Sequence, residues 1–405
     1  MLDLTALRSH FPMLSATAHG EPLVYFDNGA TSQKPVCVID TEALFYRECN
    51  ANVHRGVHYF SAEATRRYEQ SREVLADFLA VESREIVWTK GATEALNLLA
   101  HGLTHTLCKG DIILISELEH HANIVPWQLA AARTGAELKA ILVNSQGILE
   151  LDTALALIAR YKPKVLALCH ASNGLGNIHD ISTLIAAAKR HGAICVVDGA
   201  QALLHLQPKP KALGCDFYVA SAHKALGPTG VGFLYGRYEL LNALPPYQGG
   251  GEMIETVTIA ASTYREAPGK FEAGTPNIAG VIAFAEALKF IQAQNAEALR
   301  THEQALYRYL VTHLTQIDGI TLYGDLSQNI GTVSFNFRDE HPFDIATLLD
   351  HQGIAVRTGH HCNQPLMQAL NISGTIRVSL AFYNTFAEVD CFINALNAAL
   401  ALLAE

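Results

Sequence analysis

The sequence has no excess of positive charge and no closely paired cysteines. Its 29 Lys and Arg residues are outnumbered by 39 Asp and Glu residues, which gives a formal net charge of -10. This charge argues against nucleic acid or an anionic membrane as the main partner. The eight cysteines include no Cys-x-x-Cys pair, so a disulfide scaffold and a structural zinc site are both disfavoured. We find no basic, apolar leader at the N-terminus and no uninterrupted apolar segment of membrane length. These absences predict a soluble protein of a reducing compartment.

What the sequence does contain is a long apolar chain with regular strand–helix alternation. Its 405 residues are 49% hydrophobic, enough for a large core and for two domains. From residue 86 onward, apolar runs alternate with helical stretches, which predicts a mostly parallel sheet covered by helices on both faces. The predicted strands of this sheet are 86–88, 112–115, 140–143, 165–168, 194–197 and 217–220.

The last third of the chain changes in character and predicts a second, smaller domain. A helix over about 278–294 bridges to it, strands are expected at 332–337 (half-exposed) and 376–379, and helices at 342–351 and 386–403. We expect three parts: an N-terminal segment, 1–20, packing with the small domain; a large domain, 21–277; and a small C-terminal domain, 278–405.

Polar residues follow the ends of several predicted strands, where ligands bind in such sheets. Lys224 follows the run 217–220, and a lysine there can form a Schiff base with pyridoxal phosphate (PLP) or a carbonyl substrate; taken alone, the segment Ser221-Ala-His-Lys224 favours an ordinary surface lysine. Asp198 ends another apolar run and needs a positive or hydrogen-bonding partner. A protonated pyridine nitrogen would be such a partner.

Three further motifs, each a weaker signal, accompany Lys224 and Asp198 in the sequence. Gly91-Ala92-Thr93 opens a helix and could bind a phosphate, although many helices begin with a similar cap. His120 and His121 could ligate a metal, but adjacent side chains diverge, and stacking on a flat cofactor is at least as good a role. Asn173 could hydrogen-bond a ring substituent or simply form an Asn-Gly turn.

The second domain adds a thiol and an arginine. Cys362 lies in a polar loop near His360, His361 and Arg357, where cationic neighbours can expose a thiolate; a free surface thiol or a His-His-Cys metal site are the alternatives. Arg377 could bind a substrate carboxylate in a bidentate pair, or form an ordinary salt bridge. Upstream, the loop holding His54 and Arg55 could reach an anionic substrate or be merely solvated.

Taken together, the motifs resemble the SufS/CsdA class of PLP-dependent cysteine desulfurases, from about residue 10 to the C-terminus. The resemblance rests on these segments: Asn52-Val-His-Arg-Gly56, Glu119-His-His-Ala-Asn-Ile-Val-Pro-Trp127, Val197-Asp-Gly-Ala-Gln201, Ser221-Ala-His-Lys224, Gly227-Pro-Thr-Gly230, Phe271-Glu-Ala-Gly-Thr-Pro-Asn277 and Arg357-Thr-Gly-His-His-Cys362. It implies an α/β protein of PLP fold type I, with a mostly parallel seven-stranded sheet in the large domain and a smaller α+β C-terminal domain.

The resemblance also implies a role for each matching residue. Lys224 would carry PLP, Asp198 would pair with the ring nitrogen, and His121 would stack on the ring and move protons. Gln201 and Asn173 would contact the ring oxygen or its surroundings. The phosphate would be bound by Thr93, Ser221 and His223, with Thr275 reaching in from the partner subunit of a homodimer. Arg377 would hold the substrate carboxylate, Arg357, His54 and Asn173 would contribute to the same pocket, and no metal is expected.

The implied reaction converts L-cysteine to L-alanine and leaves the sulfur on Cys362 as a persulfide. A SufE/CsdE-like protein would accept this sulfur for iron–sulfur cluster or related assembly in the cytoplasm, and L-selenocysteine is a second expected substrate. Neither nucleic acid nor a membrane is expected as a partner. Two positions depart from the family pattern: Ala92 replaces a frequent threonine in the phosphate cup, and Asn363 replaces alanine beside the nucleophile.

Three other functions are compatible with parts of this pattern. An aminotransferase or a kynureninase-like lyase would share Asp198 and Lys224 but would not need Cys362. A metal-binding protein would use the histidine pairs and Cys362, and a sulfur carrier would use Cys362 without catalysis.

Overall fold

The computed structural model describes residues 2–403. Within this range the helices are α1 (Leu4–Arg8), α2 (Val36–Glu48), α3 (Tyr59–Leu79), α4 (Ala92–Leu103), α5 (Val125–Thr134), α6 (Leu151–Tyr161), α7 (Ile181–Lys189), α8 (Ala202–Leu206), α9 (Pro210–Leu213), α10 (Tyr238–Ala243), α11 (Ile278–Gln292), α12 (Ala296–Leu314), α13 (Pro342–Asp350), α14 (Gln364–Ala369) and α15 (Phe386–Leu403). The strands are β1 (Thr17–Ala18), β2 (Glu21–Pro22), β3 (Val24–Tyr25), β4 (Ile86–Thr89), β5 (Ile112–Ser116), β6 (Glu137–Ile141), β7 (Val165–Cys169), β8 (Ile194–Asp198), β9 (Phe217–Ser221), β10 (Gly232–Gly236), β11 (Ile254–Val257), β12 (Ser262–Tyr264), β13 (Ile320–Tyr323), β14 (Thr332–Phe337), β15 (Ile354–Ala355), β16 (Arg357–Gly359) and β17 (Thr375–Ser379).

A seven-stranded sheet in the order β4-β10-β9-β8-β7-β5-β6 forms the centre of the larger part of the molecule. β10 runs antiparallel to both of its neighbours, and the other adjacent pairs are parallel. Strands β7, β9 and β10 are buried along their whole length, as expected for a sheet covered on both faces. The predicted mostly parallel α/β sheet is therefore confirmed.

Two strands of the seven-stranded sheet differ from the sequence prediction. β6 begins three residues earlier than predicted, because its pairing with β5 starts at Glu137 and its first four residues are not fully buried. β10 was not predicted, since its short run begins and ends with glycine. Gly232 is needed there because a Cβ atom would lie 2.4 Å from the Cα of Gly91 at the start of α4. This close approach packs β10 against the start of α4, whose first residues line the candidate site.

The smaller part is an antiparallel sheet in the order β13-β14-β17-β16, with α12, α13 and α15 packed in its apolar core. The predicted small α+β unit is thus present. β14 is almost fully buried instead of half-exposed, and one reason is that Ser334 Oγ donates to the carbonyl of Gly174 on the large sheet side at 2.5 Å. The two parts therefore meet along β14.

The N-terminal segment and α11 connect these parts. Phe11 packs against Phe290, Phe382 and Tyr383, and β3 pairs in parallel with β15 of the C-terminal region. Helix α11 packs on α2 and α3 within the largest apolar cluster. The domain limits 1–20, 21–277 and 278–405 stay a prediction, and the core packing groups α11 with the larger sheet.

One helix of the described chain, α15, has the length and mean hydropathy of a membrane span, but Glu388 and Asp390 interrupt it, so it is not the uninterrupted apolar segment that the sequence was expected to lack. Val389, Phe392, Leu396 and Leu400 of this helix are buried in the core of the smaller part. The core helix of a globular domain passes the same test, so this finding says nothing further about a membrane.

A buried arginine ties helix α3 to the central sheet. The Arg72 side chain is 5% exposed, and its Nη1 and Nη2 donate to the two carboxylate oxygens of Glu272 at 2.6 and 2.9 Å. Nη1 also donates to the carbonyl of Ile86, while Glu272 accepts from the backbone N–H of Trp88. Helix α3, strand β4 and the loop before α11 therefore share one charged network.

We expect Arg72→Met to lower the free energy of unfolding by about 3 kcal/mol, because it leaves the Glu272 carboxylate buried without its counter-ion. Arg66→Met on the same helix is the matched control: Arg66 pairs with Glu63 at the exposed surface, and its loss should lower the free energy of unfolding far less than Arg72→Met does. Urea denaturation followed by circular dichroism measures both. Equal losses for the two variants would contradict this account of Arg72.

Candidate active site

A cavity of about 210 Å³ opens where three neighbouring parallel strands end. Cys169, Asp198 and Ser221 are the last residues of β7, β8 and β9, and all three line it. Ten of the predicted site residues also lie on its wall: Thr93, Asn173, Asp198, Gln201, Ser221, His223, Lys224, Arg357, Cys362 and Arg377. The cavity thus lies between the carboxyl edge of the large sheet and the loop and strands of the smaller part.

Lys224 stands in a short 3-10 turn directly after β9. Burial lowers the pKa of its amine to about 8, with Asp198 acting in the opposite direction. In the described chain no hydrogen bond or ion pair engages its Nζ atom. An amine with a lowered pKa and no partner is suited to act as a nucleophile or a proton acceptor near neutral pH.

Asp198 is fixed next to it by a tight strand end. Its Oδ1 accepts a hydrogen bond from the backbone N–H of Ala200 at 2.9 Å, and burial raises the pKa of the carboxyl group. Gly199 is required because a Cβ atom would lie about 2.0 Å from the ring of Tyr218. A buried carboxylate with a single backbone partner is suited to a further cationic or N–H partner.

The first turn of α4 supplies an anion-binding edge. The backbone N–H of Ala92 donates to Ser221 Oγ at 2.8 Å, which joins the helix start to the end of β9. Ala92 and Thr93 line the cavity together with His223. Because the first backbone N–H groups of a helix lack internal partners, this edge favours a phosphate. Ala92, which replaces the threonine that is frequent in the family, does not alter the backbone N–H groups of this edge.

Arg377 is buried on β17, with 2% of its side chain exposed. Its Nη1 donates to the carbonyl of Asn173 at 2.9 Å, its Nη2 donates to Asp27 Oδ1 at 2.8 Å, and its Nε has no partner. Gly29 lies so close that a Cβ atom there would be 3.1 Å from Arg377 Cζ. Gln201 holds the same loop through its Nε2 and the carbonyl of Gly29, at 2.8 Å.

The loop carrying Cys362 is fastened to the large sheet side by backbone contacts. Asn173 Nδ2 donates to the carbonyl of His361 at 2.6 Å, and the N–H of His121 donates to the carbonyl of Cys362 at 2.9 Å. His361 and Cys362 both have positive φ angles, 49° and 58°, which non-glycine residues adopt at a cost. Asn363, the second departure from the family pattern, donates to the carbonyl of Leu118 and so anchors the loop.

The structure does not bring His121 to the cavity. Its Nε2 accepts from the N–H of Gln364 at 3.2 Å, and its ring lies 5.9 Å from that of His360 at the cysteine loop. His120 lines the cavity instead, and burial near Lys224 lowers its pKa to about 4. Adjacent side chains diverge, so one histidine of the pair faces the cavity and the other faces the loop. The structure therefore places His120, and not the predicted His121, at the cavity wall.

His54 and Thr275 also lie elsewhere. His54 Nε2 pairs with Glu69 at 2.9 Å in a second cavity, so it does not share the pocket of Arg357 as predicted. Thr275 is exposed beside a third cavity that includes Trp88 and Gly230. Its predicted contribution to a partner's site remains a prediction. In residues 2–403 no three His, Cys, Asp or Glu side chains converge as metal ligands, so the histidine pairs and Cys362 do not form one cluster.

Sequence reasoning missed Glu119, which lies behind His120. Its Oε1 accepts from Ser116 Oγ at 2.5 Å and its Oε2 from Asn123 Nδ2 at 2.7 Å. Asn123 in turn accepts from Trp127 Nε1 at 2.9 Å. Burial raises the pKa of this carboxyl group to about 7. The Ser-x-x-Glu and Glu-x-x-x-Asn spacings are present in the sequence, but the burial of Glu119 behind the cavity is seen only in the tertiary structure.

These residues fit the predicted cofactor. The cavity offers an unpaired amine at Lys224, a buried carboxylate at Asp198, a helix N-terminus with Ser221 Oγ for a phosphate, and a flat histidine ring at His120. A phosphate, a protonated ring nitrogen and an aldehyde carbon are the groups that such a set complements. The fold and the site together define a PLP-dependent enzyme of fold type I.

Comparison with known proteins agrees with this class. The aminotransferase class-V family model matches residues 24–392. A probable cysteine desulfurase of Vibrio cholerae is 46% identical over 405 residues, covering 100% of both chains, and a cysteine desulfurase of Klebsiella pneumoniae is 46% identical over 96% of both. Among solved structures, a cysteine desulfurase of Thermococcus onnurineus superposes with a TM-score of 0.93 at 38% identity, covering 98% of both chains. The cysteine desulfurase CsdA of Escherichia coli gives 0.92 at 37%, covering 99% of both.

The chain therefore belongs to the aminotransferase class-V family, and the relatives named above are cysteine desulfurases within it. The family is PLP-dependent, so the predicted cofactor is confirmed.

The buried Glu119 predicts a defined pH dependence of stability. Its pKa is about 7 in the folded chain and about 4.5 when unperturbed, so the folded state holds a proton that the unfolded chain releases between these values. The stabilising contribution is complete below about pH 4.5 and is lost as the pH rises to about 7.

We expect the Glu119→Gln variant not to lose this contribution as the pH rises. The difference in free energy of unfolding between the variant and the natural chain should therefore shift in favour of the variant by on the order of 3 kcal/mol from pH 4.5 to pH 8. Urea denaturation at the two pH values measures it. Glu117→Gln, two residues away on the same segment, is the control and should follow the natural chain. If Glu119→Gln shows the same pH dependence as that control, Glu119 does not titrate in this range.

Proposed function

We propose that this protein is a PLP-dependent cysteine desulfurase that converts L-cysteine to L-alanine and takes the sulfur onto Cys362. The observation that carries the proposal is that Cys362 lines the same cavity as Lys224, Asp198 and Arg377. A thiol at this place has no role in an aminotransferase or a kynureninase-like lyase. The cysteine desulfurases of similar sequence described above support the proposal.

Lys224 is the residue that would hold PLP, with Asp198 at the ring nitrogen and His120 against the ring. The start of α4, Ser221 and His223 would hold the phosphate. When bound, PLP supplies a protonated ring that withdraws electrons from the α-carbon of an amino acid. Burial lowers the pKa of His223 to about 4, so its ring acts as a neutral hydrogen-bonding group.

Arg377 would bind the substrate carboxylate through the edge of its guanidinium group that Asp27 and Asn173 leave free. Its rigid fork favours two parallel hydrogen bonds, which would fix the α-carbon relative to Lys224. The Lys224 Nζ atom would then accept the α-proton and return it, because a pKa near 8 allows both protonation states at neutral pH. Arg357, on the same wall, adds positive charge near the carboxylate.

The Cys362 thiolate would attack the sulfur of the substrate. A bond forms between Cys362 Sγ and that sulfur while the bond from sulfur to the β-carbon breaks, and the electron pair remains on the carbon skeleton. Protonation of the β-carbon completes L-alanine, and Cys362 is left as a persulfide. The positive φ angles at His361 and Cys362 and the contacts to Asn173 and His121 hold the thiol at the cavity.

The further parts of the proposal concern substrates and partners. L-selenocysteine would serve as a second substrate, because selenium leaves carbon more readily than sulfur does. Cys362 is partly exposed, so a SufE/CsdE-like protein could take its sulfur for iron–sulfur or related assembly. A homodimer would bring Thr275 of each chain to the other's phosphate, and the eight free cysteines support a reducing, cytoplasmic location.

Cys362→Ser should reduce alanine formation from L-cysteine by on the order of 100-fold or more, because it removes the nucleophile. The visible absorption of bound PLP should be unchanged. Cys391→Ser, which alters an exposed cysteine on α15, is the control and should keep full activity. Mass spectrometry of the natural protein after L-cysteine should find an extra sulfur atom on the Cys362 peptide. Full activity in Cys362→Ser would overturn the proposal.

Borohydride reduction of the purified protein should attach PLP covalently to the peptide that contains Lys224. In Lys224→Ala this labelled peptide and alanine formation should both disappear, because no other cavity residue carries a primary amine. Lys139→Ala, at a half-exposed position on β6, serves as the comparison and should still be labelled at Lys224. Labelling of another lysine in the natural protein would contradict the role given to Lys224.

A further inference from the structure

Asp27 lies between the two arginines of the cavity. Its Oδ1 is 2.8 Å from Arg377 Nη2, and its Oδ2 is 3.8 Å from Arg357 Nη1. Arg377 is fully buried and Arg357 is partly exposed, while Asp27 itself is 22% exposed. The three side chains form an Arg–Asp–Arg row, in which the two arginines line the cavity and Asp27 lies beside its wall. Neither the motifs nor the proposed reaction accounts for the carboxylate in the middle of this row.

The position of Asp27 is set by strand pairing. Asp27 follows β3 and forms a parallel bridge with Ser379 at the end of β17, two residues beyond Arg377. The N–H of Ser379 donates to the carbonyl of Phe26 at 2.7 Å, and the carbonyl of Asp27 accepts from the N–H of Ala30 at 3.0 Å. Because both strands hold the row, the Asp27 carboxylate is fixed beside the cavity wall, where it pairs with the two lining arginines.

The Asp27 carboxylate changes the balance of charge around the cavity. The lining cations are Lys224, Arg357 and Arg377, the lining anion is Asp198, and Asp27 pairs with both arginines from beside the wall. Three histidines also line the wall, His120, His223 and His361, and burial lowers the pKa of each far enough to leave it neutral at pH 7. Asp27 therefore offsets one of the two arginine charges that an incoming amino acid meets.

We propose that Asp27 is a specificity-determining residue: it limits the positive charge of the Arg357–Arg377 pair and so favours amino acids with an uncharged side chain over those with a second anionic group. The inference rests on the proposed function, since it assumes an amino acid whose carboxylate binds at Arg377. Zwitterionic L-cysteine has no net charge, whereas L-aspartate has a net charge of about -1 at neutral pH. Removing the negative charge of Asp27 beside the wall favours the second ligand over the first, whatever its exact pose.

The test uses the holoenzyme, with L-cysteine as substrate and L-aspartate as competitor. In Asp27→Asn the inhibition constant of L-aspartate, divided by the KM of L-cysteine, should fall by about tenfold. A purely structural role for Asp27 would weaken both ligands together and leave this ratio unchanged. Asp350→Asn is the control, because Asp350 pairs with His19 at the surface.

A second variant alters the same charge in the opposite direction. Arg357→Gln removes a cation without touching the contact between Asp27 and Arg377, and it should raise the same ratio. If Asp27→Asn does not fold, because Arg377 has lost its buried counter-ion, Arg357→Gln decides the question. An unchanged ratio in Arg357→Gln, or in a folded Asp27→Asn, overturns the inference.

Failure of the proposed function would look different. If the natural holoenzyme releases no alanine from L-cysteine, the desulfurase reaction is excluded, and the competition is then read from cofactor absorbance as the apparent Kd of L-aspartate relative to that of L-alanine. If alanine is released and the ratio does not respond to either variant, the desulfurase proposal stands and the role given to Asp27 fails.

Discussion

The site depends on burying an amine and a carboxylate together at the ends of neighbouring strands. Lys224 follows β9, and Asp198 is the last residue of β8. Burial lowers the pKa of the Lys224 amine and raises the pKa of the Asp198 carboxyl group, so it favours the neutral form of both. Such groups are costly to bury without partners. The parallel sheet makes this arrangement possible because it brings several strand ends to one edge, where backbone N–H groups and a helix start offer the remaining contacts.

The smaller part of the molecule completes this edge. It contributes Arg377, Arg357 and Cys362, which belong to β17, β16 and the loop that follows β16. Its attachment is polar and specific: Asn173 holds both the carbonyl of His361 and, through its own carbonyl, Arg377. One asparagine at the end of the large sheet thus positions the thiol and the carboxylate-binding group together. This coupling explains why the Cys362 loop tolerates two positive φ angles, since the contacts on either side maintain them.

Much of the site could be read from residue order. Apolar strands followed by polar residues located the cavity, and the motifs identified ten of its lining residues, including Lys224, Asp198 and Cys362. The errors share one cause. His120 and His121 are adjacent, so their spacing cannot say which ring faces the cavity, and His54 lies in a loop whose direction depends on its pairing with Glu69. β10 was missed because its antiparallel place between β4 and β9 is a property of the assembled sheet.

The α/β class, the strand ends that carry chemistry and the family could all be recognised before folding is considered, because hydrophobic periodicity and motif order are local properties of the chain. The tertiary structure decided which of two adjacent histidines lines the cavity, that Glu119 is buried behind it, and that Asp27 lies between Arg357 and Arg377. These features depend on residues far apart in the chain, 350 positions for Asp27 and Arg377. Their distances and burial exist only once the two sheets are packed together.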